Sequence, residues 1–496
     1  MRRSRLLSLA LMMGVSACTV GPDYHEPNPQ VPAAFAEPQP PSPDGTVDLA
    51  RWWTAFGDPE LTHLIKIGLA QAPDLKTAES RVREARYAIV QARSQGLPQI
   101  NGSSKAQYLK FHRIGNDSDI PDLIDQVTGA QQGGGSGGMS SIPTSFHSFS
   151  AGFDASWEID LFGGVRRQAE SATAQAEAAQ WDARDARVRL VAEIASDYLQ
   201  MRGDQQQVAI AQSEADRQQR SLDILAHTAE VGLVPQGNVL RQRTQLAAAQ
   251  AKVEPLRAEA HVQIHALAVL LGITPEALLP ELSDARPLPD VPPSVPPGLP
   301  VDLIRRRPDV RAAERQLAVA TADIGVAVAD LYPKISLSAA PQLATAWLGS
   351  FFLGKSLQIT AQGQASFPIF DFGRRRAVVG KRREQREQAY WHWRQTVLGA
   401  LRDVEDALAR TDAERRGNAE LRSGVEDATR ALATVDAQYR AGLENYTPVL
   451  DAQQQVLEAR SNLSDSDVRL RRDLASLYKA LGGGWTDPGD AAASTG

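Results

Sequence analysis

Apolar and polar side chains alternate without interruption over residues 149–159. Phe149, Ala151, Phe153, Ala155, Trp157 and Ile159 share one face of an extended chain, and Ser150, Asp154, Ser156 and Glu158 share the other. The period recurs later, with Leu357, Ile359, Ala361, Ala365 and Phe367 set against Gln358, Thr360, Gln362, Gln364 and Ser366. A weaker extended run precedes each, at 98–112 and 334–348. Alternation sustained over about ten residues is the pattern of a barrel strand, lipid-facing and lumen-facing by turns. A half-buried soluble sheet alternates in the same way, but its strands are usually shorter.

The rest of the chain has helical periodicity. Residues 59–95 and 301–331 form two helical stretches, the first opened by Asp58-Pro59, an N-cap followed by proline at the first helical position. Residues 165–230 and 376–440 run without a single proline. At ~1.5 Å per residue each predicts a helix of ~100 Å. Each ends in a Gly-marked turn, Val231-Gly232-Leu233 and Ala441-Gly442-Leu443, as suits a left-handed cap. Return helices follow at 238–271 and 448–481.

These elements occur twice in one order. Pro73-Asp74-Leu75 matches Pro308-Asp309-Val310 at an offset of 235 (308 less 73), and Pro98 matches Pro333 at the same offset. Phe162-Gly163 matches Phe372-Gly373 at 210 (372 less 162), and Gly232-Leu233 and Leu271-Gly272 match Gly442-Leu443 and Leu481-Gly482 at 210 also. Register held this far marks an internal duplication. The first copy carries the excess, around residues 115–145. The organisation predicted is a signal peptide (1–17), an extended N-terminal segment (18–58), a first repeat (59–285), a Pro-rich linker (286–300), a second repeat (301–482) and a tail (483–496). One return helix is about half as long as a long helix, so a second must continue it. By length, 238–271 would be continued by 301–331, and 448–481 by 59–95. Small-residue seams such as Ala169, Ala172, Ala176 and Ala179 permit close helix packing.

The amino terminus changes the picture. Met1-Arg2-Arg3-Ser4-Arg5, a short apolar run and Val15-Ser16-Ala17-Cys18 describe a secretory signal ending in a lipobox, with Cys18 as lipid attachment point. Cys18 is the sole cysteine, so an internal disulfide is excluded. The 53 basic and 59 acidic residues are well mixed and give a net charge of −6, which offers no footprint for nucleic acid. Mean hydropathy is −0.30, and no later segment approaches the ~20 apolar residues of a spanning helix. A membrane crossing would then require a closed barrel. Four strands cannot enclose a channel. Two copies would give an eight-stranded barrel filled by side chains, whereas three give twelve strands.

The fold class expected is α+β, with duplicated long helical hairpins forming a tunnel and four strands per chain contributing to a trimeric transmembrane barrel. The sequence resembles the TolC-type outer membrane factor family, in the lipoprotein branch that serves RND-type multidrug pumps. The residues carrying the resemblance are Cys18-Thr19-Val20-Gly21-Pro22-Asp23-Tyr24, Arg305-Arg306-Arg307-Pro308-Asp309-Val310 and the paired Gly-Leu turns. It implies a homotrimer anchored in the outer membrane and extending into the periplasm. Such a trimer is a passive exit duct, not an enzyme, and docks onto a periplasmic adaptor and an inner-membrane RND-type transporter. The lipid on Cys18 is the one covalent group implied, with no other cofactor. Docking falls to Val231, Gly232, Leu233, Ala441, Gly442 and Leu443. The gate falls to Thr447 and Asp451, with Arg241, the first-copy counterpart of Asp451, as its candidate ion partner. Asp451 is read as lying in the first turn of its helix, where the dipole alone would favour it. The exit duct of a protein-secretion system uses the same tube, and a non-conducting tether is a third reading.

Other motifs weigh less. Gly349-x-x-x-x-Gly354-Lys355-Ser356 matches a phosphate-binding loop, but a strand follows it where a helix is needed. Gly133 to Gly138 fits a dinucleotide fingerprint only within a glycine tract. His261 and His265 sit one helical turn apart without a third ligand. Trp391 and Trp393 belong on different helix faces. Arg166-Arg167 and Arg374-Arg375-Arg376 open the long helices, where cations are unfavourable. Lipid phosphate beside the strands is one partner for them, and solvent the other.

Overall fold

In a computed structural model the structure describes residues 19–37, 47–110, 145–292, 298, 300–345 and 357–485. The elements in chain order are α1 (Pro59–Gln71), α2 (Pro73–Ser94), β1 (Gln99–Lys110), β2 (Ser145–Ile159), α3 (Gly164–Glu230), α4 (Gln236–Leu271), α5 (Pro300–Arg306), α6 (Pro308–Ala329), β3 (Lys334–Thr345), β4 (Leu357–Ser366), α7 (Arg374–Arg440) and α8 (Thr447–Ala480). Cys18, the tract Gly133–Gly138 and the motif Gly349–Ser356 lie outside the described residues. Contacts divide the chain into two units. One holds Met1–Pro22, Val90–Glu170 and Ala322–Arg382; the other holds Asp23–Ile89, Ser171–Thr321 and Arg383–Gly496.

The first unit is built on a four-stranded antiparallel sheet in the order β1-β2-β3-β4. The central pair, β2 with β3, joins the two copies, with Ile159 opposite Ile335 and Ser156 opposite Ser338. Gly152 faces Gln342, and a Cβ at Gly152 would lie 2.5 Å from the Pro341 carbonyl oxygen. The β2–β3 ladder passes from Gly152–Gln342 to Ala155–Ala339, skipping the positions beside Pro341. Proline has no N–H to donate, so the skip lies where the ladder must lose a bond. Among the described residues neither outer strand has a strand beyond it, and every residue of β4 is exposed.

The second unit is helical. Asp58 caps α1 as its sequence requires, its carboxylate accepting from the N–H groups of Glu60 (2.8 Å) and Leu61 (3.1 Å). The stretches 59–95 and 301–331 are not continuous helices. Each breaks before a proline, at Ala72 (φ −52°, ψ 129°) and at Arg307. The ring of Pro73 or Pro308 disfavours helical geometry in the residue before it. The two breaks occupy equivalent positions of the repeat.

The pairing of return and leading helices also differs from the expectation by length. The end of α4 meets the leading helices of its own copy: a Cβ at Gly272 would lie 2.8 Å from Pro73 Cδ. One core cluster accordingly unites Leu61, Leu64, Ile65 and Leu75 with Ile264, Leu267 and Leu271. The end of α8 likewise meets the α5–α6 junction, a Cβ at Gly482 falling 3.3 Å from Arg307 Cγ. A second cluster joins Leu303, Ile304 and Val310 to Leu477 and Leu481. Lengths allowed either splice; matching apolar faces selected the one within each copy. Trp52, fully buried, stacks on Tyr478 at 5.2 Å and meets Trp53 and Phe56 edge-on. Trp393 is buried and Trp391 exposed, as their spacing predicts.

Candidate functional site: the paired turns and the strand-to-helix elbows

The turns that end α3 and α7 are built alike. Gly232 (φ 76°) donates to the Ala229 carbonyl at 3.1 Å and Leu233 to that of Thr228 at 3.0 Å. Gly442 (φ 74°) donates to Tyr439 at 2.9 Å and Leu443 to Gln438 at 2.9 Å. This is the paired-bond cap that satisfies the last carbonyls of a helix and needs a left-handed residue, for which glycine is the default. Leu233 and Leu443 are 75% and 76% exposed, and Val231 and Ala441 are exposed beside them. Each turn thus holds a solvent-facing leucine on a fully bonded backbone.

Thr447 is the first residue of α8, its N–H bonded to Asn445 Oδ1 at 3.0 Å. Asp451 is exposed but lies in the second turn, and the first turn of α8 has no acid. The dipole effect falls off within the first turn, so it does not account for this carboxylate. Arg241 is exposed on α4 and reaches Asn238 at 3.4 Å; among the described residues of one chain it makes no ion pair with Asp451.

Sequence reading passed over Tyr446. Its ring lies 5.1 Å from Tyr439, and its hydroxyl comes near Ser221 on α3, so it lies between the two hairpins beside the second turn. Burial pushes its phenol pKa up, with the nearby Ser221 hydroxyl opposing. The copy-one counterpart, at an offset of 210, is Gln236. A phenol replacing an amide at a repeat position was the available signal. Nearby, buried Gln242 donates to the Gln218 carbonyl at 3.0 Å, and Gln218 donates to Glu214 at 2.6 Å, locking α4 to α3.

The other candidate region is the pair of elbows where strands become long helices. At the first, Phe162 stacks on Tyr332 at 4.6 Å, and Val20 donates to the Phe162 carbonyl at 3.2 Å. Asp160 accepts from the Arg166 N–H at 3.0 Å, giving the helix start the negative charge that its arginines lack. Arg167 is buried, with Nε on the Val20 carbonyl at 3.1 Å and an ion pair to Glu170 at 2.8 Å. It therefore serves the chain's own N-terminal segment, and lipid phosphate is not its partner. The second elbow is capped likewise, by Asp371 on the N–H groups of Gly373 (3.1 Å) and Arg375 (3.2 Å). There Phe372 is 92% exposed and is the only described non-glycine residue with positive φ, 54°. His261 and His265 are half-buried, and among the described residues no group of three metal-ligating side chains exists. No single described helix is long and apolar enough to cross a membrane.

The sequence matches the family described as outer membrane efflux protein over residues 64–273 and 299–483. The chain belongs to that family. Nodulation protein T of Rhizobium leguminosarum bv. viciae is 31% identical over 98% of this chain and 95% of its own length. The pyoverdine export outer membrane protein OpmQ of Pseudomonas aeruginosa is 32% identical over 88% of each. Among solved structures, the outer-membrane channel OprN superposes with a TM-score of 0.81 at 31% identity, covering 94% of this chain and 100% of its own. The long helices and the four-stranded sheet are thus the fold of an outer membrane efflux protein.

Proposed function

We propose that the chain is one protomer of a homotrimeric exit duct, which passively carries small molecules outward from a periplasmic adaptor and an inner-membrane RND-type transporter. The observation that carries this reading is the open sheet. Four strands with apolar residues on exposed outer strands cannot remain open in lipid, and three chains would supply twelve strands for a channel. Lipid on Cys18 anchors each protomer, and the conduit needs no other cofactor and no catalytic group. The exposed turns around Gly232 and Gly442 dock the adaptor. Thr447 and Asp451 line the closed end, where threefold symmetry gathers three carboxylates and favours cations at the mouth. Opening is a small outward shift of the second hairpin, with Tyr446 as its hinge contact to α3.

Single-channel recording in planar bilayers tests this. The purified protein should conduct as a trimer, and Asp451→Ala should raise resting conductance and weaken cation preference. A monomer, or a trimer without conductance, would remove the duct reading. Unchanged conductance and selectivity in Asp451→Ala would place the constriction elsewhere in the turn.

A further inference from the structure

We propose that the second strand-to-helix elbow, from Phe370 to Lys381, binds the headgroups of anionic phospholipid at the membrane surface. Phe370 and Phe372 enter the interface, and Arg374, Arg376 and Lys381 hold the phosphates. The inference rests on the duct reading, which sets the four-stranded sheet in the membrane.

The two elbows are counterparts at an offset of 210, and the second has gained positive charge. Residues 160–172 hold two acids and two cations, whereas residues 370–382 hold one acid and five cations. Asp160, which pairs with Arg166 at the first elbow, is replaced by Phe370 at the second. Gly164 is replaced by Arg374, and Ser171 by Lys381. The one acid, Asp371, is already engaged: it caps the helix start and pairs with Arg375 at 3.5 Å. Arg382 pairs with Asp323 of α6 at 3.3 Å. Arg374, Arg376 and Lys381 are exposed and, among the described residues, pair with no carboxylate.

Occupancy differs in the same way. The chain fills the first elbow itself: Arg167 takes the Val20 carbonyl, Phe162 stacks on Tyr332, and a Cβ at Gly163 would lie 2.9 Å from Thr19. At the second elbow a Cβ on Gly373, the counterpart of Gly163, would meet nothing within 4 Å. Phe370 and Phe372 touch only edge-on, with centroids 4.5 Å apart, and are 75% and 92% exposed. Phe372 holds its ring there at a positive φ, a conformation strained for a bulky side chain.

Position and charge select the occupant. β4 ends at Ser366, so the elbow follows the membrane strand directly, at the level where aromatic side chains gather in a bilayer interface. Cations there are drawn to an anionic surface over about a Debye length, ~8 Å at physiological salt. Arg374 and Lys381 share one face of α7, and Arg376 holds the opposite flank. A helix is only ~10 Å across, so both flanks lie within that field. A second copy is the competing occupant. Gly325, Ala329 and Tyr332 meet the first elbow, and at an offset of 235 their counterparts lie in the stretch 90–97. That stretch holds Arg93 and no acid, so it can cover the rings but cannot neutralise the cations. A phospholipid supplies an apolar boundary for the rings and a phosphate for the cations.

Native mass spectrometry of the full-length protein in neutral detergent tests this, with dioleoyl phosphatidylglycerol or dioleoyl phosphatidylcholine added at equal concentration. The protein should retain phosphatidylglycerol about tenfold more than phosphatidylcholine, and the preference should fall as salt rises. The triple variant Arg374→Gln, Arg376→Gln, Lys381→Gln should lose most of that preference. Equal retention of the two lipids by the parent, or a triple variant that retains phosphatidylglycerol as the parent does, would overturn the proposal. Displacement of the lipid by glycerol 3-phosphate at equal concentration would overturn it too, in favour of a free phosphate. Should the triple variant not assemble, Lys381→Gln alone should lower the preference about twofold, and no change there would count against the site. Single-channel recording on the same samples reads the duct separately. A trimer that conducts without lipid preference refutes this inference alone, and one that does not conduct refutes the duct.

Discussion

Gly203 sits in the middle of α3, where glycine costs a helix about 1 kcal/mol relative to alanine. Its value lies in the contact with α8. A Cβ at Gly203 would overlap Val468 Cγ2 and would lie 3.4 Å from Val468 Cβ and Cγ1. Val468 cannot turn aside cheaply, since a β-branched residue in a helix has one strongly preferred rotamer. The helices cannot slide either. On one side of the contact Gln207 donates to the Ser461 carbonyl at 3.0 Å and to Asp465 at 2.7 Å. On the other, Arg472 donates to Ser196 at 3.0 Å and Gln200 at 2.8 Å. Gly203→Ala should gain about 1 kcal/mol of helix propensity and lose about 1–3 kcal/mol to overpacking, a net loss of about 1 kcal/mol. Val468→Ala removes two methyl groups and should cost about 1.5 kcal/mol. The double variant should be no worse than Val468→Ala alone, because the new methyl occupies the space vacated. The coupling is then about 1–2 kcal/mol. Thermal unfolding in detergent, followed by circular dichroism at 222 nm across the four proteins, measures it. If Gly203→Ala alone raises the melting temperature and the two substitutions add, the helices do not approach as closely as described.

Two further expectations concern the N-terminal segment and pH. Gly21 has φ 94° and a Cβ there would lie 2.5 Å from Gly325 Cα, so Gly21→Ala should lift the segment after Cys18 from α6 and increase its cleavage by proteinase K; unchanged cleavage would show that the segment is held elsewhere. Asp204 has its carboxyl pKa raised, first by burial, with the Gln200 hydrogen bond opposing, and its Oδ2 is buried without a hydrogen-bond partner. A raised carboxyl makes its stabilising contribution below the unfolded pKa and loses it as pH rises through the folded value. Asp204→Asn should therefore raise the melting temperature at pH 7, by about 1 kcal/mol in stability, and lose that advantage near pH ~4. A variant less stable than the parent at pH 7 would contradict this.

Much of the molecule was legible in the linear sequence because it is set by local rules. Alternation placed four strands, the last at Leu357–Ser366. The proline-free runs placed α3 and α7, and Gly232 and Gly442 placed their caps, since a left-handed turn depends on one residue. The prolines at 73 and 308 carried the signal for both helix breaks, although helical periodicity runs through them. What the tertiary structure alone decided concerns partners. An apolar stripe says that a helix buries a face, not against what, so the return of α4 to Pro73 and of α8 to Arg307 needed three dimensions. The same holds for Arg167, whose bond to Val20 spans 147 positions, and for Tyr446, whose partner Ser221 lies on the other hairpin. The two capped turns were readable because each is built from consecutive residues. The gate was not, because side chains distant along the chain, and other copies of it, must meet before any one of them has a role.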